Sequence, residues 1–305
     1  LFNKEFLMLH KTPNKITEEF IKPLIIDAYQ DPLDLNLVSN ESKKNDYRRL
    51  FFDFLSMLRN GYIRAAEPDE QGVWHVNKWV KQGILLGMRI GQMTALDTGV
   101  ASNQPFIDKD TILTRPLSLA DKVRLVPGGS SIRDGAYVAS GVVVMPPAFI
   151  NVGAYVDEGT MVDSHALIGS CAQIGKRVHV SACAQIGGVL EPAHAHPVIV
   201  EQDAFIGGNC GLYEGVHVEK NAVLAAGVVL TAATKVYDLV HEKIYTSSSH
   251  AVLKIPAGAV VLPGTRALMG DFAKQHGLSV SAAIIMKYRD EKTNAKTALE
   301  SVLRA

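Results

Sequence analysis

From Ile132 to Ile186 an aliphatic residue returns at every sixth position: Ile132, Val138, Val144, Ile150, Val156, Val162, Ile168, Ile174, Val180 and Ile186. A helix repeats its apolar face near 3.6 residues and a half-buried strand near 2, so this period belongs to neither alone. It is the signature of a hexapeptide parallel β-helix, in which three hexapeptides close a triangular coil of roughly eighteen residues. Residues eighteen apart are then predicted to stack. Ile132, Ile150, Ile168 and Ile186 form one column, Val138, Val156 and Ile174 a second, and Val144, Val162 and Val180 a third. β-Branched side chains suit such columns because they pack on a pleated surface. Small residues such as Gly153, Ala154, Gly159, Ala166, Gly169, Ala172, Gly175 and Ala184 are expected where a corner needs positive φ or has no room for bulk.

The period breaks once after Ile186, at Gly188-Val-Leu-Glu-Pro-Ala-His-Ala-His-Pro197, and resumes at Val200, Ile206, Leu212, Val218, Leu224 and Leu230. Two prolines and two histidines in a regular solenoid mark a loop thrown from one corner, and loops on a rigid scaffold are where function concentrates. A second excursion, Asp238–Lys254, is rich in serine and charge, and Ile255-Pro-Ala-Gly-Ala-Val-Val261 restores a last turn.

The flanks lack the period. Apolar residues at three-to-four spacing predict helices over Ile16–Gln30, Asp46–Asn60 and Val76–Met93, with Trp74 and Trp79 assigned to the helical core. A strand is predicted at Ser279–Tyr288 and a terminal helix at Thr293–Leu303. The fold class is therefore mainly β: an α-helical N-terminal domain (1–110), a hexapeptide β-helix domain (111–270) and a strand-helix extension (271–305).

The 305 residues carry zero net charge, with 20% charged side chains, which gives no reason to expect a nucleic-acid or membrane-surface partner. No apolar run approaches membrane-spanning length and no signal-peptide layout opens the chain, so a cytoplasmic protein is expected. Cys171 and Cys183 are twelve residues apart, which is two sides of the triangle, so they are not predicted to bridge; with Cys210 they read as small buried thiols.

Hexapeptide β-helices serve as acyltransferases, as metal enzymes resembling γ-class carbonic anhydrases and as non-catalytic scaffolds, so the residues must choose. Of His165, His179, His194, His196 and His217, only His194 and His196 form a close pair, inside the proline-bound loop. Two loop histidines make a weak metal site, and no metal is expected. His179, within the repeat, reads as a hydrogen-bonded wall residue.

The strings Phe149-Ile-Asn-Val-Gly-Ala-Tyr-Val-Asp-Glu-Gly-Thr-Met-Val-Asp163, Gly169-Ser-Cys-Ala-Gln-Ile-Gly-Lys176 and Ile186-Gly-Gly-Val-Leu-Glu-Pro192 are far more specific than the period. With Asn77-Lys-Trp-Val-Lys-Gln-Gly-Ile-Leu-Leu86, Arg124-Leu-Val-Pro127 and Thr293-Asn-Ala-Lys-Thr297, they resemble the tetrahydrodipicolinate N-succinyltransferase family over most of the chain. The resemblance implies a trimer of left-handed β-helices. It implies transfer of succinyl from succinyl-CoA, as co-substrate rather than tightly bound cofactor, to the amine of L-2-amino-6-oxopimelate in diaminopimelate and lysine biosynthesis. The cleft is expected between subunits. The family's acidic residue falls on Asp163 and its substrate-binding arginine on Arg124; Ser170 is a further substrate contact.

The chemistry suits these residue types. An amine attacking a thioester must lose a proton, which a carboxylate can orient and accept. A dicarboxylate acceptor needs a cation, and arginine's planar fork matches it. The oxyanion needs a donor, for which the backbone N–H of Gly188 is the candidate. Coenzyme A is expected along the coil edge near Thr231, Ala232 and Lys235. One departure stands out: where many members carry an arginine and a second acidic residue, this chain has Asn209 and Gly211, with Glu214 three residues on. Another acyl-CoA or amine acceptor, or a scaffold without catalysis, are the alternatives.

Overall fold

The computed structural model describes residues 16–31, 41–96, 106–248 and 251–289; the expected helix at Thr293–Leu303 lies outside them. Three helices open the described chain: α1 (Glu18–Gln30), α2 (Glu41–Arg59) and α3 (Lys78–Ile90). They correspond to the three apolar periodicities, but α3 is trimmed at both ends. Trp74–Val76 pairs with Ala66–Pro68 in one hairpin, and Met93–Leu96 pairs with Phe106–Lys109 in another. The helix core gathers Ile21, Ile25, Phe51, Phe54, Trp79 and Ile84, and Val152 and Cys171 of the β-helix join it.

The rest is a left-handed, triangular parallel β-helix of two-residue strands, with the columns read from the sequence. The first face stacks Ile132, Ile150, Ile168, Ile186, Leu212 and Leu230. The second stacks Val138, Val156, Ile174, Val200, Val218 and Ile255. The third stacks Leu125, Val144, Val162, Val180, Ile206, Leu224 and Val261. In most of these strands the first residue points outward and the second is buried, so the period of two within each strand and of six along the chain coexist.

Corners divide the work of the small residues. Positive φ recurs six residues apart at Gly153, Gly159, His165, Cys171, Arg177 and Cys183, so side-chain-bearing residues occupy most of these left-handed positions, at a cost of roughly 1 kcal/mol each. Ala154, Ala166, Ala172 and Ala184 instead fill the tapered interior. Cys171 and Cys210 are buried as expected, while Cys183 is only partly buried.

Both interruptions leave the coil at the same edge, between the first and second faces. The chain departs after Ile186 to return at Ile199–Val200, and departs after Leu230 to return at Lys254–Ile255. The second excursion contains a hairpin, Val236–Asp238 with Lys243–Tyr245, rather than a plain loop. After the last coil, Ala259–Ala267 runs on as an antiparallel partner of Ser279–Tyr288, the strand read from the sequence.

Candidate active site

The helical layer covers the second face. Arg64 lies 3.6 Å over the Tyr155 ring and donates through Nε to Gln173 at 3.0 Å. Trp74, expected in the helical core, stands at this junction instead; its indole N–H donates to Glu201 at 3.1 Å, and buried His217 bonds the same oxygen at 2.8 Å. The outward residues of the first and third faces, including Phe149, Leu167, Met161 and Phe205, stay only partly covered in the single chain.

Candidate residues fall on two edges. Asp163 stands between the third and first faces. Its Oδ1 accepts the Ser164 N–H at 2.7 Å, a corner-closing bond that Asn151 and Asp157 repeat at their own corners. The His179 ring, one coil on, stacks on Phe205 at 5.0 Å between ring centres and forms no hydrogen bond with a described residue, contrary to the wall bond expected of it. Burial lowers its pKa while the nearby Asp163 raises it. Arg124 shares this sheet: it pairs with Val143, which pairs with Met161, two residues before Asp163. That register separates the Cα atoms of Arg124 and Asp163 by roughly 12 Å. Arg124 is exposed, so its side chain is available to a ligand.

Ser170, Gly188, Thr231 and Ala232 share the other edge, where the excursions leave. A cavity of about 690 Å³ opens there, lined by Gly187, Gly188, Glu191, Ala195, His196, Tyr213, Glu214 and Thr231 among others. The N–H of Gly188 has no acceptor among the described residues, whereas Gly187 donates to Leu212 and Val189 to Ser170. A side chain at Gly188 would bring its Cβ within 2.7 Å of the nitrogen of buried Ser170, so glycine is required there. The Ala232 N–H is occupied, donating to Glu214 at 2.8 Å. Lys235 is exposed just beyond, where its carbonyl accepts from Ala283.

Sequence reasoning missed Lys81. It is fully buried on α3, its ammonium donating to the carbonyl of Ala195 in the first excursion. Burial lowers its pKa, and the neighbouring thiol is Cys171, itself pushed up to about 12 by burial. A lone cation in the apolar run Trp79-Val-Lys-Gln-Gly-Ile-Leu-Leu86 was the available signal. No group of three or more metal-ligating side chains occurs among the described residues.

A family model described as tetrahydrodipicolinate N-succinyltransferase N-terminal matches residues 21–90, and one described as hexapeptide repeat of succinyl-transferase matches residues 197–232. The 2,3,4,5-tetrahydropyridine-2,6-dicarboxylate N-succinyltransferase of Legionella pneumophila is 40% identical over 294 residues, covering 93% of this chain and 98% of that protein. The chain belongs to the tetrahydrodipicolinate N-succinyltransferase family. The Nitrobacter hamburgensis enzyme of the same name is 42% identical over 270 residues, 86% of this chain and 91% of that protein. Within this N-succinyltransferase framework the first-to-second edge changes character along its length: lower coils meet Leu55 and Ile84 of the helices, and upper coils open into the cavity. No helix among the described residues is long and apolar enough to cross a membrane.

Proposed function

We propose that the protein transfers the succinyl group of succinyl-CoA to the amine of L-2-amino-6-oxopimelate, the open form of tetrahydrodipicolinate. The reading is carried by family membership over nearly the whole chain, with the Met161-Val-Asp163 and Ile186-Gly-Gly188 strings each at an approachable edge. Arg124 holds an acceptor carboxylate, Ser170 adds a polar contact, and Asp163 orients the amine through the carboxylate oxygen not used at its corner. The free N–H of Gly188 faces the developing oxyanion, a geometry whose value lies in donors fixed before reaction. Coenzyme A runs along the excursion edge toward Thr231, Ala232 and Lys235.

The working unit in this reading is a cytoplasmic homotrimer whose β-helix segment (111–270) carries the sites. In one chain Asp163 and Gly188 stand on different edges, and Asp163 lies between the two faces the helices leave uncovered. Packing those faces on a neighbour buries their aromatic and aliphatic side chains and brings the Asp163 edge of one copy to the Gly188 edge of the next. Thiol release is the test, with succinyl-CoA and acetyl-CoA each offered against tetrahydrodipicolinate and a panel of amino sugars. Release with succinyl-CoA and tetrahydrodipicolinate is expected. Release only with a sugar amine, or none with any pair, overturns the assignment.

A further inference from the structure

His196 lines the cavity beside Gly188 and forms no hydrogen bond with any described residue; its Nδ1 is shut away from solvent without a partner. His75, His217 and His241 are each paired with a carboxylate, whereas the His196 ring at the cleft has none. Its backbone is held from two sides. Lys81 grips the preceding carbonyl, and the His196 carbonyl lies against Gly215, where a Cβ would stand only 2.8 Å away. The surrounding charge favours a neutral ring: burial first, then Lys81 from α3, His217 from the second face and Lys254 from the last coil all lower its pKa. Two carboxylates line the cavity with it. Glu214 is engaged by the Ala232 N–H, and exposed Glu191 has no such bond.

Gly211 lies two residues before Tyr213, which lines the cavity. The Tyr213 ring occupies the room: a Cβ on Gly211 would lie 2.6 Å from its Cε2 and 3.1 Å from its hydroxyl oxygen. The cleft therefore holds an imidazole without a partner close to the Gly188 amide.

We propose that His196 is the proton shuttle of the transfer. The amine nitrogen bonds to the thioester carbon, and the N–H proton released as the ammonium forms passes to Nε2, the ring nitrogen that is not shut away. As the C–S bond breaks, the imidazolium returns that proton to the departing sulfur, leaving an amide and a thiol with the ring neutral again. Asp163, on the facing edge, orients the amine. The inference rests on the acyl-transfer reading of the cleft.

The experiment compares His196→Asn and Tyr213→Phe with the parent in thiol release from succinyl-CoA plus tetrahydrodipicolinate across pH, alongside calorimetry of coenzyme A binding. His196→Asn is expected to lower kcat by on the order of 10²-fold, the lower reach of general acid–base catalysis. It is also expected to erase the acid limb of the pH profile, which in the parent falls below the ordinary histidine value of about 6.5, while coenzyme A affinity is retained. Added imidazole should restore part of the rate in His196→Gly. An active parent with His196→Asn within about threefold and an unchanged acid limb, or a loss confined to Tyr213→Phe, overturns this role for His196 and leaves acyl transfer standing. A parent that releases no thiol overturns both.

Discussion

Asp163 permits a substitution that separates fold from chemistry, because the chain contains its own control. The Asp163 carboxylate closes a β-helix corner by accepting the Ser164 N–H at 2.7 Å, and Asn151 does the same job with its amide oxygen at 2.8 Å to Val152. Asp163→Asn therefore keeps the corner bond and should change stability by less than about 0.5 kcal/mol, the range of neutral surface substitutions. Asp163→Ala loses the bond and should cost about 1 kcal/mol. Turnover should order differently. Neither asparagine nor alanine presents a carboxylate to orient the amine, so both should lower kcat by on the order of 10²-fold. Coenzyme A affinity should hold, since Thr231 and Gly188 occupy another edge. Urea midpoints give the first comparison and initial rates of thiol release the second. If Asp163→Asn stays within about threefold of the parent rate, the residue closes a corner and nothing more.

Replacing Lys81 by Met removes a buried charge and the clamp on Ala195; folding stability should change little, while kcat falls by about tenfold or more as the excursion loosens, and Lys81→Arg should fail to rescue it because the planar fork does not fit a single buried carbonyl. A Lys81→Met chain with full turnover would show the clamp to be idle. Deleting Ala193–His196 should abolish most turnover with the fold intact by circular dichroism, and survival of activity would make the loop decoration. Burial pushes the Asp238 carboxyl up, but hydrogen bonds from Tyr288 and His241 outweigh it and hold the group at about 2. A depressed folded value means stability present above the ordinary carboxylate range and lost as pH falls from about 4 toward 2; Asp238→Asn should flatten that part of a urea-midpoint profile, and an unchanged slope would refute the linkage.

The β-helix was legible because each coil repeats one constraint: an aliphatic side chain must fill the same slot of the triangle, so Ile132 to Ile186 carry the register in plain sight. Ser279–Tyr288 was legible through Val280, Ile284, Ile285 and Tyr288, residue types enriched in strands. The two hairpins flanking α3 were hidden, because strands of three or four residues such as Trp74–Val76 are too short to show alternation. Left-handed corners at Cys171, Arg177 and Cys183 were equally invisible, since the solenoid imposes them on residues without that preference. Asp163, Arg124 and Gly188 became candidates through strings resembling a family. The pairing of Lys81 with Ala195 spans 114 residues and follows no local pattern, so only the fold reveals it.

A site completed by two edges of different chains is tested most directly by mixed assemblies. Arg124 and Asp163 lie on one sheet of one chain, so Arg124→Ala and Asp163→Asn chains should not rescue each other. Asp163→Asn paired with Gly188→Val should. Each inactive parent spoils a different edge, and a mixed trimer contains at least one interface where both edges are intact. The measurement is thiol release by purified, differently tagged mixed assemblies. Recovery of about a third of the parent activity for the second pair, from one intact interface among three, and none for the first, is the predicted result. Recovery in the first pair, or its absence in the second with mixed trimers demonstrated, would contradict a site built from the Asp163 edge of one copy and the Gly188 edge of the next.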